Sequence, residues 1–147
     1  MRVNASSVIP LLTSAALFVG GCGDHATTTS PSNTAPTIAA ASVTETFDGT
    51  VPVGGSAFYS FSVAENGTVN LTLASVGGHG VPTTAWLGLG LGTPSGTDCA
   101  TTSTANTASG SAVHITGTYA PGVYCAKAYD IGNLAAPASV TVMIAHP

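Results

Sequence analysis

The chain has 147 residues, of which 44% are apolar and only 5% charged, with 18 glycines and a formal net charge of −4. Arg2 and Lys127 are its only basic side chains, too few to hold a polyanion by counterion release, so nucleic acid is excluded as a partner. Gly, Ser and Thr make up most of the remainder, which suits short strands and turns and argues against long helices.

The chain opens with Arg2, continues through an uncharged run from Val8 to Val19, and reaches Gly20-Gly21-Cys22. This is the basic, apolar and small-residue layout of an export signal. The apolar run is about 12 residues, short of the roughly 20 needed to cross a bilayer, and Pro10 interrupts its start, so a spanning helix is not expected. The ending Val19-Gly20-Gly21-Cys22 resembles a bacterial lipoprotein signal peptide. That resemblance implies removal of residues 1–21 and acylation of Cys22, with the lipid bilayer as partner. An ordinary cleaved signal with an unmodified Cys22 is the alternative. Loss of Arg2 with the signal takes the formal charge from −4 to −5. Gly23 follows the cysteine, where an Asp marks inner-membrane retention in enterobacterial lipoproteins, so the resemblance implies an envelope protein of the outer membrane.

Residues 22–40 hold Asp24-His25-Ala26-Thr27-Thr28-Thr29-Ser30-Pro31 and little to bury, and read as a lipidated flexible tether. About 18 residues of such coil span on the order of 20–25 Å. Residues 41–147 are enough for one domain with one core.

Period-two alternation recurs through that domain. Val43, Glu45 and Phe47 share one face of a first strand expected to end in a turn at Asp48-Gly49. Tyr59, Phe61 and Val63 alternate with Ser60 and Ser62, and Val69, Leu71 and Leu73 alternate with Asn70 and Thr72. Glu65-Asn66-Gly67 between these two runs predicts a β-hairpin. Leu87, Leu89 and Leu91 face one way, while Trp86, Gly88 and Gly90 face the other and allow a neighbour to approach closely. Val113 and Ile115 mark another strand, which puts His114 on its solvent side. Val123–Tyr129 and the alternation of Val140, Val142 and Ile144 complete the set, with Asp130-Ile131-Gly132-Asn133 as a turn. Seven or eight short strands predict an all-β, antiparallel β-sandwich.

Gly-Gly-Ser-Ala-Phe-Tyr-Ser-Phe-Ser-Val, Asn-Gly-Thr-Val-Asn-Leu-Thr-Leu and Pro-Gly-Val-Tyr-Cys-Ala-Lys-Ala-Tyr-Asp, in this order, resemble the bacterial pre-peptidase C-terminal domain. The resemblance covers about residues 42–147. It implies a small jelly-roll-like sandwich of the kind appended to exported proteins, here without the catalytic domain that usually precedes it.

Three cysteines in an exported chain leave one odd, and acylation of Cys22 removes the oddity. Cys99 and Cys125 then form the expected disulfide, which an oxidising envelope compartment favours. A metal site is the alternative for the pair, but no zinc-type spacing of Cys or His accompanies it.

Candidate chemistry is sparse. No Gly-x-Ser-x-Gly elbow, His-Glu-x-x-His pair or Ser-x-x-Lys occurs, so a small hydrolase, with His79 or His114 as its base, is the least supported function. His25 and His146 lie in the tether and near the end of the sequence, where order is least expected. Asp98 beside Cys99 and Asp130 after Cys125 are the most notable polar pair, which the bridge could draw together as ligands of a cation. Turn chemistry alone explains Asp130 equally well. Trp86 is either a core residue covering the glycines or a stacking platform for a sugar ring. The reading is therefore a non-enzymatic, lipid-anchored envelope protein without a cofactor, whose sandwich is a binding or accessory module. A carbohydrate-binding surface protein using Trp86 is the alternative, and a glycan or a protein at the cell surface is the candidate partner.

Overall fold

A computed structural model describes residue 41 and residues 43–147. The signal, the tether and Cys22 lie outside the described residues.

Eight strands follow one another: β1 Val43–Val51, β2 Ser56–Val63, β3 Gly67–Gly77, β4 Leu87–Ser95, β5 Asp98–Thr107, β6 Ile115–Tyr119, β7 Gly122–Tyr129 and β8 Ala138–His146. They form two four-stranded sheets, ordered β1-β8-β3-β6 and β2-β7-β4-β5, and every pairing is antiparallel. This is the eight-stranded jelly roll, in which each strand crosses to the other sheet except at the β4–β5 hairpin. The expected all-β sandwich with one disulfide is the fold observed.

Alternation drives the two faces together. Val69, Leu71 and Leu73 of β3 and Val140, Val142 and Ile144 of β8 bury inward from the first sheet. Phe61 and Val63 of β2, Leu87, Leu89 and Leu91 of β4, and Ala126 and Ala128 of β7 meet them from the second. Each Leu, Ile or Phe so buried contributes about 1.5–3 kcal/mol of apolar transfer. A polar cluster lies at the margin of this interior: half-buried Glu45 of β1 accepts 2.6 Å from the Tyr59 hydroxyl of the opposite sheet, and lies 3.0 Å from Nε2 of the buried His146 on β8. The phenolate form of Tyr59 is disfavoured by that carboxylate, which raises the phenol above its ordinary range, chiefly through the hydrogen bond.

Two turn expectations are corrected. β1 does not turn at Asp48-Gly49; it stays paired with β8 in unbroken register to Val51, and the Thr141 hydroxyl donates to Asp48 Oδ1 at 2.7 Å. The turn comes four residues later, where Gly55 N–H donates to Pro52 O at 2.9 Å and Gly54 takes φ +66°. That positive φ at the third position is what a type II turn needs from glycine. The Asn66-Gly67 segment closes no hairpin either: β2 pairs with β7 and β3 with β8 and β6, so the segment carries the chain from one sheet to the other. Alternation fixes which face of a strand is buried and leaves its partner open.

The two-residue turn at Gly96-Thr97 closes the β4–β5 hairpin, with Ser95 opposite Asp98. An extra residue, Thr102, then bulges β5, because Leu91 pairs with Ser103 while Gly92 pairs with Thr101. Between the turn and the bulge β5 leans over β4. Ala100 O lies 1.9 Å from where a Gly92 Cβ would stand, so only glycine admits it. The lean brings the Cys99 and Cys125 Cα atoms to 5.9 Å, and the disulfide closes across β4 from β5 to β7.

Candidate functional site

Strand direction sorts the loops into two ends. The segments 64–66, 96–97 and 120–121 lie with the start of β1 and the end of β8, whereas 52–55, 78–86, 108–114 and 130–137 lie at the opposite end. That second end carries the longer loops, and exposed Val53, Trp86 and Ile131 each come from a different one of them.

Two of these loops enclose a recess of about 270 Å³, with residues 80–86 on one side and 133–135 on the other. The β3–β4 loop is built from consecutive tight turns, Val81 N–H donating to Gly78 O at 3.1 Å and Ala85 N–H to Pro82 O at 3.0 Å. The Ser109 hydroxyl ties it to the β5–β6 loop through Thr83 O at 3.0 Å. Val81 and Leu134 are buried beneath the recess and give it an apolar floor, while Trp86 stands at its wall 54% exposed. Thr84 and Asn133 supply a hydroxyl and an amide, and no ionisable side chain lines the recess.

Asp130 shapes the other wall. Its Oδ1 accepts the N–H groups of Gly132, Asn133 and Leu134 at 2.8, 3.1 and 3.2 Å, and its Oδ2 accepts Gly54 N–H at 2.8 Å. Its own N–H donates to Gly55 O at 2.9 Å. The Gly54 bond is the largest cause that holds this carboxyl below the usual range; partial desolvation opposes it, and the other three N–H groups reinforce it. The carboxylate thus closes the turn expected from sequence and also fastens the β7–β8 loop to the β1–β2 loop.

The sequence candidates are therefore separated in part. Asp98 and Asp130 are engaged by different partners. Asp98 takes both its oxygens to Lys127 Nζ, at 2.8 and 3.0 Å, and accepts Cys99 N–H at 2.7 Å. Lys127 first, and Cys99 N–H second, hold the Asp98 carboxyl low. Among the described residues no group of three or more His, Cys, Asp or Glu side chains converges on a point. Trp86 neither lies in a strand nor covers the glycines. β4 begins after it, and the ring that occupies the space above Gly88 is that of Tyr129, whose Cζ stands 2.1 Å from a Cβ built there. What the structure brings together is Trp86 with the loop that Asp130 organises.

Two of the histidines also differ from expectation, whereas His79 lies exposed in the β3–β4 loop as expected. His114 precedes β6 and is half-buried: its Nδ1 accepts Leu73 N–H at 3.1 Å and its own N–H donates to Leu71 O at 2.8 Å, so it continues the sheet edge. Val113, expected to share a buried face with Ile115, is 52% exposed. His146, expected to be poorly ordered, is buried against the Phe61 ring with ring centroids 5.3 Å apart. Its two ring nitrogens face Glu45 at 3.0 Å and Pro147 O at 2.9 Å, which leaves neither free for a substrate. The signal that could have found this cluster was a carboxylate, Glu45, on the face of an apolar stripe.

Comparison with protein families finds no match, and no curated protein matches the sequence.

Proposed function

We propose that this is a non-enzymatic, lipid-anchored protein of the bacterial cell envelope, held in the outer membrane through an acylated Cys22 and using its sandwich as a binding module. The observation that carries the anchor is the cysteine arithmetic. The bond between Cys99 and Cys125 consumes two of the three cysteines, and the one outside the bridge stands directly after Val19-Gly20-Gly21. Acylation gives that thiol a purpose in an exported chain. The binding role is supported by the recess at Trp86. A large aromatic left half in water, beside a preorganised loop and an apolar floor, is the composition of a ligand site more than of a packing surface.

The domain enters its sandwich at the start of β1, and the Trp86 recess is at the other end of the strands. The test is fractionation with metabolic labelling by palmitate. The wild type is expected in the membrane fraction with label, and Cys22→Ala is expected in the soluble fraction without it. Retention of the Cys22→Ala protein in the membrane would overturn the anchor.

A further inference from the structure

We propose that the recess at Trp86 binds a neutral pyranose ring, stacked on the indole and hydrogen-bonded by Asn133, with Asp130 as a positioning residue; this rests on the reading of the sandwich as a binding module.

A pyranose has two chemical surfaces. Its ring C–H groups make an apolar face that suits an aromatic plane, and its rim carries hydroxyls that both donate and accept. The recess offers the complement of each: the exposed Trp86 ring, and the neutral donor and acceptor groups of Asn133 and Thr84. Charge decides between ligand classes. With no ionisable side chain in the lining and a single basic residue in the described chain, already paired to Asp98, nothing there would compensate a phosphate, sulfate or uronate. Size agrees. About 270 Å³ lies just under the range of roughly 300–1,000 Å³ typical of drug-sized ligands, which is space for one ring and makes the site a contact for a unit of a longer glycan.

The recess is also prepaid in order. Asp130 fixes three successive N–H groups, including those of Asn133 and Leu134, so the wall opposite Trp86 is set before ligand arrives. This gives Asp130 an effect on affinity without contact with the sugar.

The test uses the full chain, extracted from membranes in detergent, against immobilised cellulose, xylan, mannan, β-1,3-glucan and chitin, with alginate and heparin as acidic comparators. Retention on at least one neutral polymer is expected, with affinity reduced about tenfold or more by Trp86→Ala and lowered by Asn133→Ala. Trp86 is half in water and outside the buried core, so its replacement should leave the thermal midpoint nearly unchanged, and Asn133→Ala provides a second variant if it does not. Asp130→Ala should weaken retention while Asp130→Asn, which keeps one acceptor oxygen, restores most of it. A role in folding alone would move the midpoint of both and the affinity of neither. Retention on no neutral polymer, retention indifferent to Trp86, or Trp86-dependent capture of only the acidic polymers would each overturn the sugar inference and leave the binding module standing. Release of reducing ends from a retained polymer would instead overturn the non-enzymatic reading and leave the sugar site standing.

Discussion

Asp130 is the residue on which the loop end most depends, because four N–H groups from two loops converge on its carboxylate. Those bonds favour the ionised form, so its folded value is depressed and the stability they confer has a defined pH window. It is fully present above the unfolded carboxyl value near 3.9 and is lost as pH falls through the lower folded value. Asp130→Ala should therefore melt below the wild type at pH 7, with the difference narrowing as pH falls below about 4. Thermal melts from pH 7 to 2 read this directly, and a gap that stays constant would contradict it. Half of the role was legible in the sequence. The bonds to Gly132 and Asn133 are local Asx chemistry, recognisable from Asp-Ile-Gly-Asn alone. The bond to Gly54 spans 76 positions and depends on two sheets meeting, which no local pattern states. Glu45 and His146, 101 positions apart, were hidden for the same reason. Trp86 lay one residue outside a strand whose alternation had been read correctly, and that one residue changed it from a core candidate to an exposed wall.

At the scale of elements, Gly88 and Gly90 of β4 were legible as a place of close approach, but neither what approaches them nor the tighter contact at Gly92 was. Gly88 is met by the end of the Tyr129 side chain and Gly90 by the Thr101 methyl, both able to shift, whereas Gly92 is met by the main chain of Ala100 and Thr101. The three sites should therefore respond differently to one added methyl. Gly88→Ala displaces the tip of a flexible ring and should cost about 1 kcal/mol; Gly92→Ala must push β5 off β4 and should cost about 3 kcal/mol or more. Chemical denaturation of the two variants checks the ranking, and an equal loss at both would refute the account of the leaning hairpin. Gly92→Ala should also leave a fraction of Cys99 and Cys125 unbridged, counted by thiol titration in denaturant, because the lean is what brings their backbones within reach. The Asn66-Gly67 error belongs to this scale too. The dipeptide marks a change of direction, and here β2 and β3 change sheet as they change direction, unlike the β4–β5 hairpin.

In the whole molecule, the order β1-β8-β3-β6 over β2-β7-β4-β5 places most contacts between segments far apart in sequence, so the closed sandwich pays a large loop entropy before its core forms. Strand count and class could be read from alternation; this pairing of the first and last described strands in one sheet could not, since each pairing is decided by the fit of the two apolar faces. Against that entropy the fold has one covalent constraint. The bridge joins β7, central in the second sheet, to β5, an edge strand that otherwise pairs only with β4. Lys127 and Asp98 make the same β7-to-β5 link by charge, but in an exposed position that solvent screens. The disulfide should therefore dominate. A closed loop of 26 residues restricts the unfolded chain by about 3.5 kcal/mol in the chain-entropy account. At about 4–8 °C per kcal/mol for a domain of this size, Cys99→Ser or Cys125→Ser should lower the thermal midpoint by on the order of 15 °C or more. Lys127→Ala should lower it by only a few degrees. Reduction of the wild type should reproduce the cysteine variants, and the remaining thiol, buried in either variant, should react with a thiol reagent only as fast as the domain opens. A wild type whose midpoint is the same with and without reductant would show that the edge strand is held by its packing on β4 alone.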